Sequence, residues 1–136
     1  MHSLGINIGS SNVKVTMLEG YSILWSEVLP HEGNFPAALK RILSSKDLPA
    51  SLKSMATGNE GRHLLNINSV IEPICIEEAL KHIRHDVDAV VSLGGEDLVV
   101  YTVDKNKKII TNFSGIKCAS GTGESFKQQL ARMDMR

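Results

Sequence analysis

The sequence predicts an α/β fold that is built from two related halves. Apolar and polar residues alternate along several short segments, as in half-buried strands, and other segments carry apolar residues at helical spacing. The order strand, glycine-rich turn, strand, turn, strand, helix occurs twice, at roughly residues 4–45 and 89–133. Because a repeated order of elements indicates a duplicated unit, we predict a first subdomain at 1–87 and the start of a second at 88–136.

Three predicted strands open the first half, and tight turns join them into an antiparallel meander. Small polar residues such as Ser10 and Asn12 separate the strands, as turn residues do. Pro30 ends the third strand, and Asn34 then caps a helix that extends to about Ser45. The three predicted strands are residues 4–9, 12–18 and 22–29.

The rest of the first half contains one further strand and one further helix. The strand is predicted at 52–57, and a short extended segment is predicted at 70–73. Cys75 comes just before the second helix and is interpreted as a small core residue. That helix is predicted at 76–83, with the core positions Ile76, Ala79, Leu80 and Ile83.

The second half repeats the meander, with strands predicted at 89–95, 97–103 and 108–113. A loop around Cys118 follows, and then a last helix at 124–133. A cysteine ahead of a helix N-terminus lies near the positive end of the helix dipole, which favours a thiolate. A thiolate suits a metal ligand or a nucleophile, but a small buried turn residue explains a lone cysteine equally well at this point.

Composition narrows the class of protein. The chain of 136 residues is 42% hydrophobic and has a formal net charge of zero, with 4% aromatic residues. Without a basic stripe or an aromatic stacking platform, nucleic acid is not an expected partner. The sequence has no long apolar run and no apolar leader, so we expect a cytoplasmic protein without membrane contact. Two cysteines in such a chain do not predict a structural disulfide.

The two glycine-rich turns are the candidate binding elements. Small residues leave backbone N–H groups accessible, which suits phosphate oxygens. Oxygen-bearing side chains such as those of Asn7 and Asp97 could also hold Mg²⁺. Two ordinary hairpin turns remain the alternative, because neither turn matches the strand-to-helix phosphate fingerprints. The candidate ligands are Asn7, Gly9, Ser10, Ser11, Asn12 and Lys14 in the first turn, and Gly94, Gly95, Glu96 and Asp97 in the second.

Four segments carry a resemblance to a known family. They are residues 4–15, 56–62, 91–97 and 117–123, and together they span almost the whole chain. In this order they resemble the activator (component A) family of 2-hydroxyacyl-CoA dehydratases and benzoyl-CoA reductases. That family belongs to the actin, sugar kinase and heat-shock chaperone superfamily. The resemblance implies a ribonuclease-H-like, actin-type ATPase fold, with its first half and the beginning of its second half in this chain.

The resemblance also implies a function. The two turns would be phosphate loops that bind MgATP in a cleft between the duplicated halves, with Asp97 as the catalytic residue. Cys118 would bind a [4Fe–4S] cluster shared across a homodimer, while the second cysteine ligand of the family pattern lies downstream of this sequence. ATP binding and hydrolysis would let the cluster pass an electron to a CoA-ester dehydratase or reductase component. The 136 residues alone are not expected to be active.

The sequence departs from the family pattern in both turns. The family usually has Asp at the positions of Asn7 and Ser92, and Gln at the position of Glu96. Fewer carboxylates weaken the case for Mg²⁺ coordination and for hydrolysis. The alternative function is therefore an ATP-binding sensor or scaffold without redox chemistry. A small-molecule kinase of the same superfamily is a third hypothesis, although it leaves the Cys118 loop unexplained.

Overall fold

The computed structural model describes residues 1–58, 60–83, 85–95, 97–115 and 133. The chain forms two compact units, Met1–Glu72 and Pro73–Arg136. The sequence predicts the division between residues 87 and 88, where the repeated order of strands begins. That division stays a prediction. No helix in the described ranges is long and apolar enough to cross a membrane.

The first unit contains a four-stranded sheet and one α-helix. Its elements are β1 (His2–Ile8), β2 (Asn12–Glu19), β3 (Ser22–Pro30), α1 (Phe35–Ser44), β4 (Leu52–Gly58) and a 3-10 helix (Glu60–Leu64). In the sheet order β3-β2-β1-β4, β1 pairs antiparallel with β2 and parallel with β4. The predicted antiparallel meander is confirmed, and the parallel β4 strand extends it.

Alternation along β1 and β2 creates the core of this unit. Every second side chain of these two strands is buried on one sheet face, and the buried side of α1 packs against it. Asn34 caps α1 as predicted, because its Oδ1 accepts a hydrogen bond from the Ala37 N–H at 3.2 Å. The core residues are Leu4, Ile6, Ile8, Val13, Val15, Met17, Ala38, Leu39 and Ile42.

The second unit contains a helix and a three-stranded antiparallel sheet. The elements are α2 (Glu72–Leu80), β5 (Ala89–Leu93), β6 (Leu98–Val103) and β7 (Ile109–Ser114), and the strand order is β5-β6-β7. Leu80, Tyr101 and Val103 are buried there. Glu77 connects the helix of this unit to its sheet: its carboxylate accepts from Lys108 Nζ at 2.6 Å and from the Ile109 N–H at 3.0 Å.

The prediction for the second helix is wrong at both ends. The helix begins at Glu72 and ends at Leu80, so Cys75 lies within it, and the predicted extended segment 70–73 ends in helix. Pro73 is compatible with this start, because the N–H that proline lacks has no intrahelical partner in a first turn. The predicted core position Ala79 is exposed, while Leu80 is buried. The predicted helix at 124–133 lies outside the described residues apart from Met133.

Candidate functional site

The two glycine-rich turns close with the same hydrogen bond. The Gly9 N–H donates to the Asn12 carbonyl at 2.9 Å, and the Gly94 N–H donates to the Asp97 carbonyl at 2.8 Å. A Cβ atom on Gly9 would lie 3.1 Å from the Asn12 oxygen, and one on Gly94 would lie 3.2 Å from the Asp97 oxygen. A side chain at either glycine would crowd the carbonyl that closes its turn, so both turns favour glycine at the same place, and the repeated geometry matches the repeated sequence pattern.

The first turn keeps donors available. Among the described residues, no backbone hydrogen bond that holds this turn uses the N–H of Ser10 or Ser11. Lys14 is exposed on β2 and lies opposite Asn7 on β1. Successive N–H groups beside a cationic side chain form an arrangement that can bind an anion such as a phosphate group. The structure thus brings Asn7, the Gly9–Asn12 turn and Lys14 to one end of the sheet.

His31 supports the first turn from the end of β3. Its Nε2 lies 3.0 Å from the Gly9 carbonyl, and its backbone N–H donates to the Ser11 carbonyl at 3.1 Å. The Gly33 N–H donates to His31 Nδ1 at 3.0 Å. Sequence reasoning missed this residue, because His31 has no ligand spacing to another histidine and its contact is 22 positions away.

The end of β4 closes against the end of β1. Asn7 pairs with Thr57, and Gly58 has φ of +98°. A Cβ on Gly58 would lie 2.2 Å from the Ile8 carbonyl oxygen and 2.8 Å from Asn7 Oδ1, so only glycine fits. Arg62 Nη1 donates to the Gly58 carbonyl at 2.6 Å. The 56–62 segment that carries part of the sequence resemblance therefore shapes the surroundings of Asn7.

Thr57 supplies an observation that fits a bound polar group. Its hydroxyl oxygen is buried and has no hydrogen-bond partner in the part of the chain that the structure describes. Buried hydroxyls are normally satisfied, and a bound water or ligand is one explanation for an orphaned one. Thr57 pairs with Asn7 across β1 and β4, next to the first turn.

The second turn is described in part. Gly94, Gly95 and Asp97 are half-buried, and the structure places them together between β5 and β6. Glu96 and Cys118, the remaining predicted ligands, lie outside the described residues. Over the described ranges, no three His, Cys, Asp or Glu side chains are grouped closely enough to hold a metal ion.

A separate apolar groove of about 410 Å³ lies along α1 and the end of the 3-10 helix. Leu39 and Leu43 contribute from α1, and Leu64 and Leu65 contribute from the other side. None of the predicted phosphate-binding residues that the structure describes lines it. The groove is therefore not the site that the sequence predicts.

Two curated relatives cover nearly the whole chain. An uncharacterised protein from Methanocaldococcus jannaschii is 30% identical over 134 aligned positions, covering 93% of this chain and 54% of that protein. The activator of lactoyl-CoA dehydratase from Anaerotignum propionicum is 27% identical over 141 aligned positions, covering 98% of this chain and 54% of that protein. The chain thus spans about half the length of the curated relatives it matches. No protein-family model matches the sequence.

Solved structures decide the fold. The activator of 2-hydroxyisocaproyl-CoA dehydratase from Clostridium difficile, with bound ADPNP, matches with a TM-score of 0.81 and 22% identity. Component A of (R)-2-hydroxyglutaryl-CoA dehydratase from Acidaminococcus fermentans matches with a TM-score of 0.77 and 25% identity. Each match covers 100% of this chain and 53% or 55% of the other.

The chain resembles the 2-hydroxyacyl-CoA dehydratase activators. The predicted resemblance and the predicted actin-type α/β ATPase fold are both confirmed. The two turns described above are the segments in which the sequence pattern predicted phosphate loops. The roles of individual turn residues stay predictions.

Proposed function

We propose that this chain is the ATP-binding part of an activator that delivers an electron to a 2-hydroxyacyl-CoA dehydratase or a related CoA-ester reductase. One observation carries the proposal: the two glycine turns close identically, and the first keeps its N–H groups available beside Lys14. The match to an activator with bound ADPNP supports a nucleotide as the ligand.

The first turn would bind phosphate oxygens. The N–H groups and hydroxyls of Ser10 and Ser11 can donate to them, with Asn12 at the end of the turn. The Lys14 ammonium would add a charge-assisted hydrogen bond, which is about twice as strong as a neutral one. Asn7 offers a neutral amide oxygen toward a hydrated Mg²⁺, which prefers oxygen ligands and keeps several waters. The orphaned Thr57 hydroxyl fits a water of that shell.

The second turn would contribute in the same way. Gly94 and Gly95 would allow close approach of phosphate oxygens, and Glu96 stays a predicted ligand. The Asp97 carboxylate is the group that can orient a water or a metal-bound water for hydrolysis of ATP. Asp97 is thus the residue to which we assign the catalytic role.

Cys118 would hold one side of a [4Fe–4S] cluster that two subunits of a homodimer share. Cysteine thiolates are the usual ligands of such clusters. The cluster supplies a one-electron donor of low potential. A CoA-ester dehydratase or reductase component would be the partner that accepts the electron.

Asn7 favours a second candidate function, an ATP-binding sensor or scaffold without redox chemistry. The amide at this position carries no charge where the activator pattern has a carboxylate, so it would hold Mg²⁺ more weakly. Such a protein would bind the nucleotide through the same turns and would need no iron.

Binding is tested with MgATP and two lysine variants. Lys14→Ala should weaken binding by about 10- to 100-fold, because a charge-assisted hydrogen bond is lost. Lys53→Ala is the matched control, since Lys53 is an exposed lysine on β4 of the same sheet. Calorimetric titration measures both. Equal losses in the two variants would remove Lys14 from the site.

Iron content separates the two functions. The protein is purified without oxygen beside its Cys118→Ser variant, and iron and acid-labile sulfide are measured. The activator predicts about four irons per dimer, lost in the variant. An iron-free protein that binds MgATP would contradict the activator function and support the ATP-binding sensor or scaffold.

A further inference from the structure

We infer that His31 is a positioning residue that orients the phosphate-binding N–H groups of the first turn. This inference rests on the proposed nucleotide site and names a residue that determines its geometry. His31 contacts the turn twice: the side chain contacts the Gly9 carbonyl, and the backbone N–H donates to the Ser11 carbonyl.

The planar peptide group links the direction of each contacted carbonyl to the direction of the next residue's N–H group. In a trans peptide the C=O and N–H groups point in opposite directions, and the described residues contain no cis peptide bond. When the Gly9 carbonyl points at His31, the N–H of Ser10 must therefore point away from it. The bond from the His31 N–H fixes the Ser11–Asn12 peptide in the same manner, so the N–H of Asn12 points away from His31. His31 thus sets the directions of two backbone donors of the turn, the N–H groups of Ser10 and Asn12.

The partners of the ring indicate which of its two nitrogens carries the hydrogen. The Gly33 N–H can only donate, so His31 Nδ1 must accept and carries no hydrogen. The Gly9 carbonyl can only accept, so Nε2 must carry the hydrogen and donate at 3.0 Å. The arrangement requires the neutral tautomer with hydrogen on Nε2. A ring protonated on both nitrogens would place two N–H groups against each other at Gly33.

The segment after β3 is shaped for this contact. Glu32 has φ of +47° and Gly33 has φ of +85°, both in the left-handed region, which lets the chain turn back on the ring. The Asn34 N–H donates to the His31 carbonyl at 2.6 Å, and Asn34 then caps α1. The ring therefore links the first turn to the start of α1.

The test compares two amide side chains of different reach. Glutamine at 31 places an NH₂ group near the position of Nε2, whereas asparagine reaches only the position of Nδ1. The backbone bond from residue 31 to the Ser11 carbonyl stays in every variant, so the substitutions change only the two ring contacts, with Gly9 and with Gly33. The Asn Oδ1 can still accept from the Gly33 N–H, and the Asn variant therefore lacks mainly the donor to Gly9. The amide resonances of Ser10, Ser11 and Asn12 are followed by NMR during titration with MgATP.

We expect His31→Gln to bind within about threefold of the wild type, and both His31→Asn and His31→Ala to bind about tenfold more weakly, the loss of one hydrogen bond. Nitrogen-15 spectra of the wild type should show the Nε2–H tautomer at neutral pH. Core amides of β1 and β2 report whether each variant is folded.

Two results overturn the inference while the nucleotide site stands. One is wild-type affinity in His31→Ala, and the other is equal affinity in the Gln and Asn variants with the Nδ1–H tautomer in the wild type. If the Ser10 and Ser11 amides of the wild type do not respond to MgATP, the nucleotide site itself fails. The role of His31 then fails with it.

Discussion

The two glycine turns have the same closing bond but very different support. In the first unit, β1 lies between β2 and β4, and the residue before the turn, Ile8, is only 2% exposed. His31 and Gly58 contact the same end of the strand. In the second unit, β5 pairs with β6 alone within the described residues, and Leu93, which precedes Gly94, is 59% exposed.

The difference shows what a local sequence pattern can determine. A glycine followed three residues later by a carbonyl acceptor closes the turn in both units. Whether that turn is held rigidly depends on strands and side chains that come from elsewhere in the chain. Preorganised donors bind a phosphate better than mobile ones because less freedom is lost on binding. We therefore expect the first turn to be the more ordered of the two.

The largest loss of folding stability is expected from a substitution where the ends of β1 and β4 meet. Gly58→Ala would place a Cβ 2.2 Å from the Ile8 oxygen at a φ of +98°, so it should destabilise the first unit by about 4 kcal/mol. Gly20→Ala is the control, because Gly20 has φ of +60° but no atom within 4 Å of its added Cβ; it should cost about 1 kcal/mol. Urea unfolding followed by Trp25 fluorescence measures both. Equal losses of stability in the two variants would contradict the close approach of Gly58 to the Ile8 carbonyl oxygen.

The residues before the two turns provide the next test. Ile8→Ala should cost about 3 kcal/mol, because a fully packed side chain is lost from the core. Leu93→Ala should change the stability of the second unit by less than about 0.5 kcal/mol, since Leu93 is largely exposed. Hydrogen exchange of β1 and β6 amides measures each unit separately. A large loss in Leu93→Ala would mean that the second turn is supported as well as the first.

Alanine at the two turn glycines should have similar effects on stability, because the two turns close with the same geometry. Gly9→Ala and Gly94→Ala each bring a Cβ within 3.1 or 3.2 Å of a backbone oxygen. Each should destabilise its own unit by about 1 kcal/mol, because the turn must open slightly. The same hydrogen-exchange measurement applies. Costs that differ by more than about 1 kcal/mol would show that the two turns do not share one geometry.

The smallest expected effect is a change in how the stability of the second unit depends on pH in acid. Hydrogen bonds from Lys108 and from the Ile109 N–H hold the pKa of Glu77 below its ordinary value of 4.5. A carboxyl whose pKa is lowered by folding stabilises the folded state above its unfolded pKa, and this stabilisation is lost as pH falls through the folded pKa. The second unit should therefore lose stability below about pH 4.5.

Glu77→Gln should flatten that acid dependence, as seen in hydrogen exchange of β6 at several pH values. Glu78→Gln is the comparison variant. The pKa of Glu78 is also lowered, by the hydrogen bond from Lys81 at the end of the same helix, but Glu78 makes no described contact with β7. The two variants therefore separate a carboxylate that joins α2 to the sheet from one that acts within the end of α2. An unchanged pH profile in Glu77→Gln would mean that the contact between α2 and β7 does not contribute to stability.

Much of the fold could be predicted from the sequence. Alternation in 12–18 and the cap at Asn34 are local signals, and the structure confirms β2 and α1. The limits of α2 could not be predicted, because Pro73 and the neighbouring apolar residues fit both an extended segment and a first helical turn. The cysteine loop and Glu96 lie outside the described residues, so their predicted roles remain predictions.

The sequence by itself determined the strands, the turn glycines and the resemblance, because these depend on residues that are neighbours in the chain. Only the tertiary structure showed that His31 holds the Gly9 carbonyl and that Gly58 closes against Ile8. These contacts join residues 22 and 50 positions apart, and their distances depend on how β3 and β4 pack beside β1 and β2. A pattern of residue types contains no information about which distant carbonyl a side chain will reach.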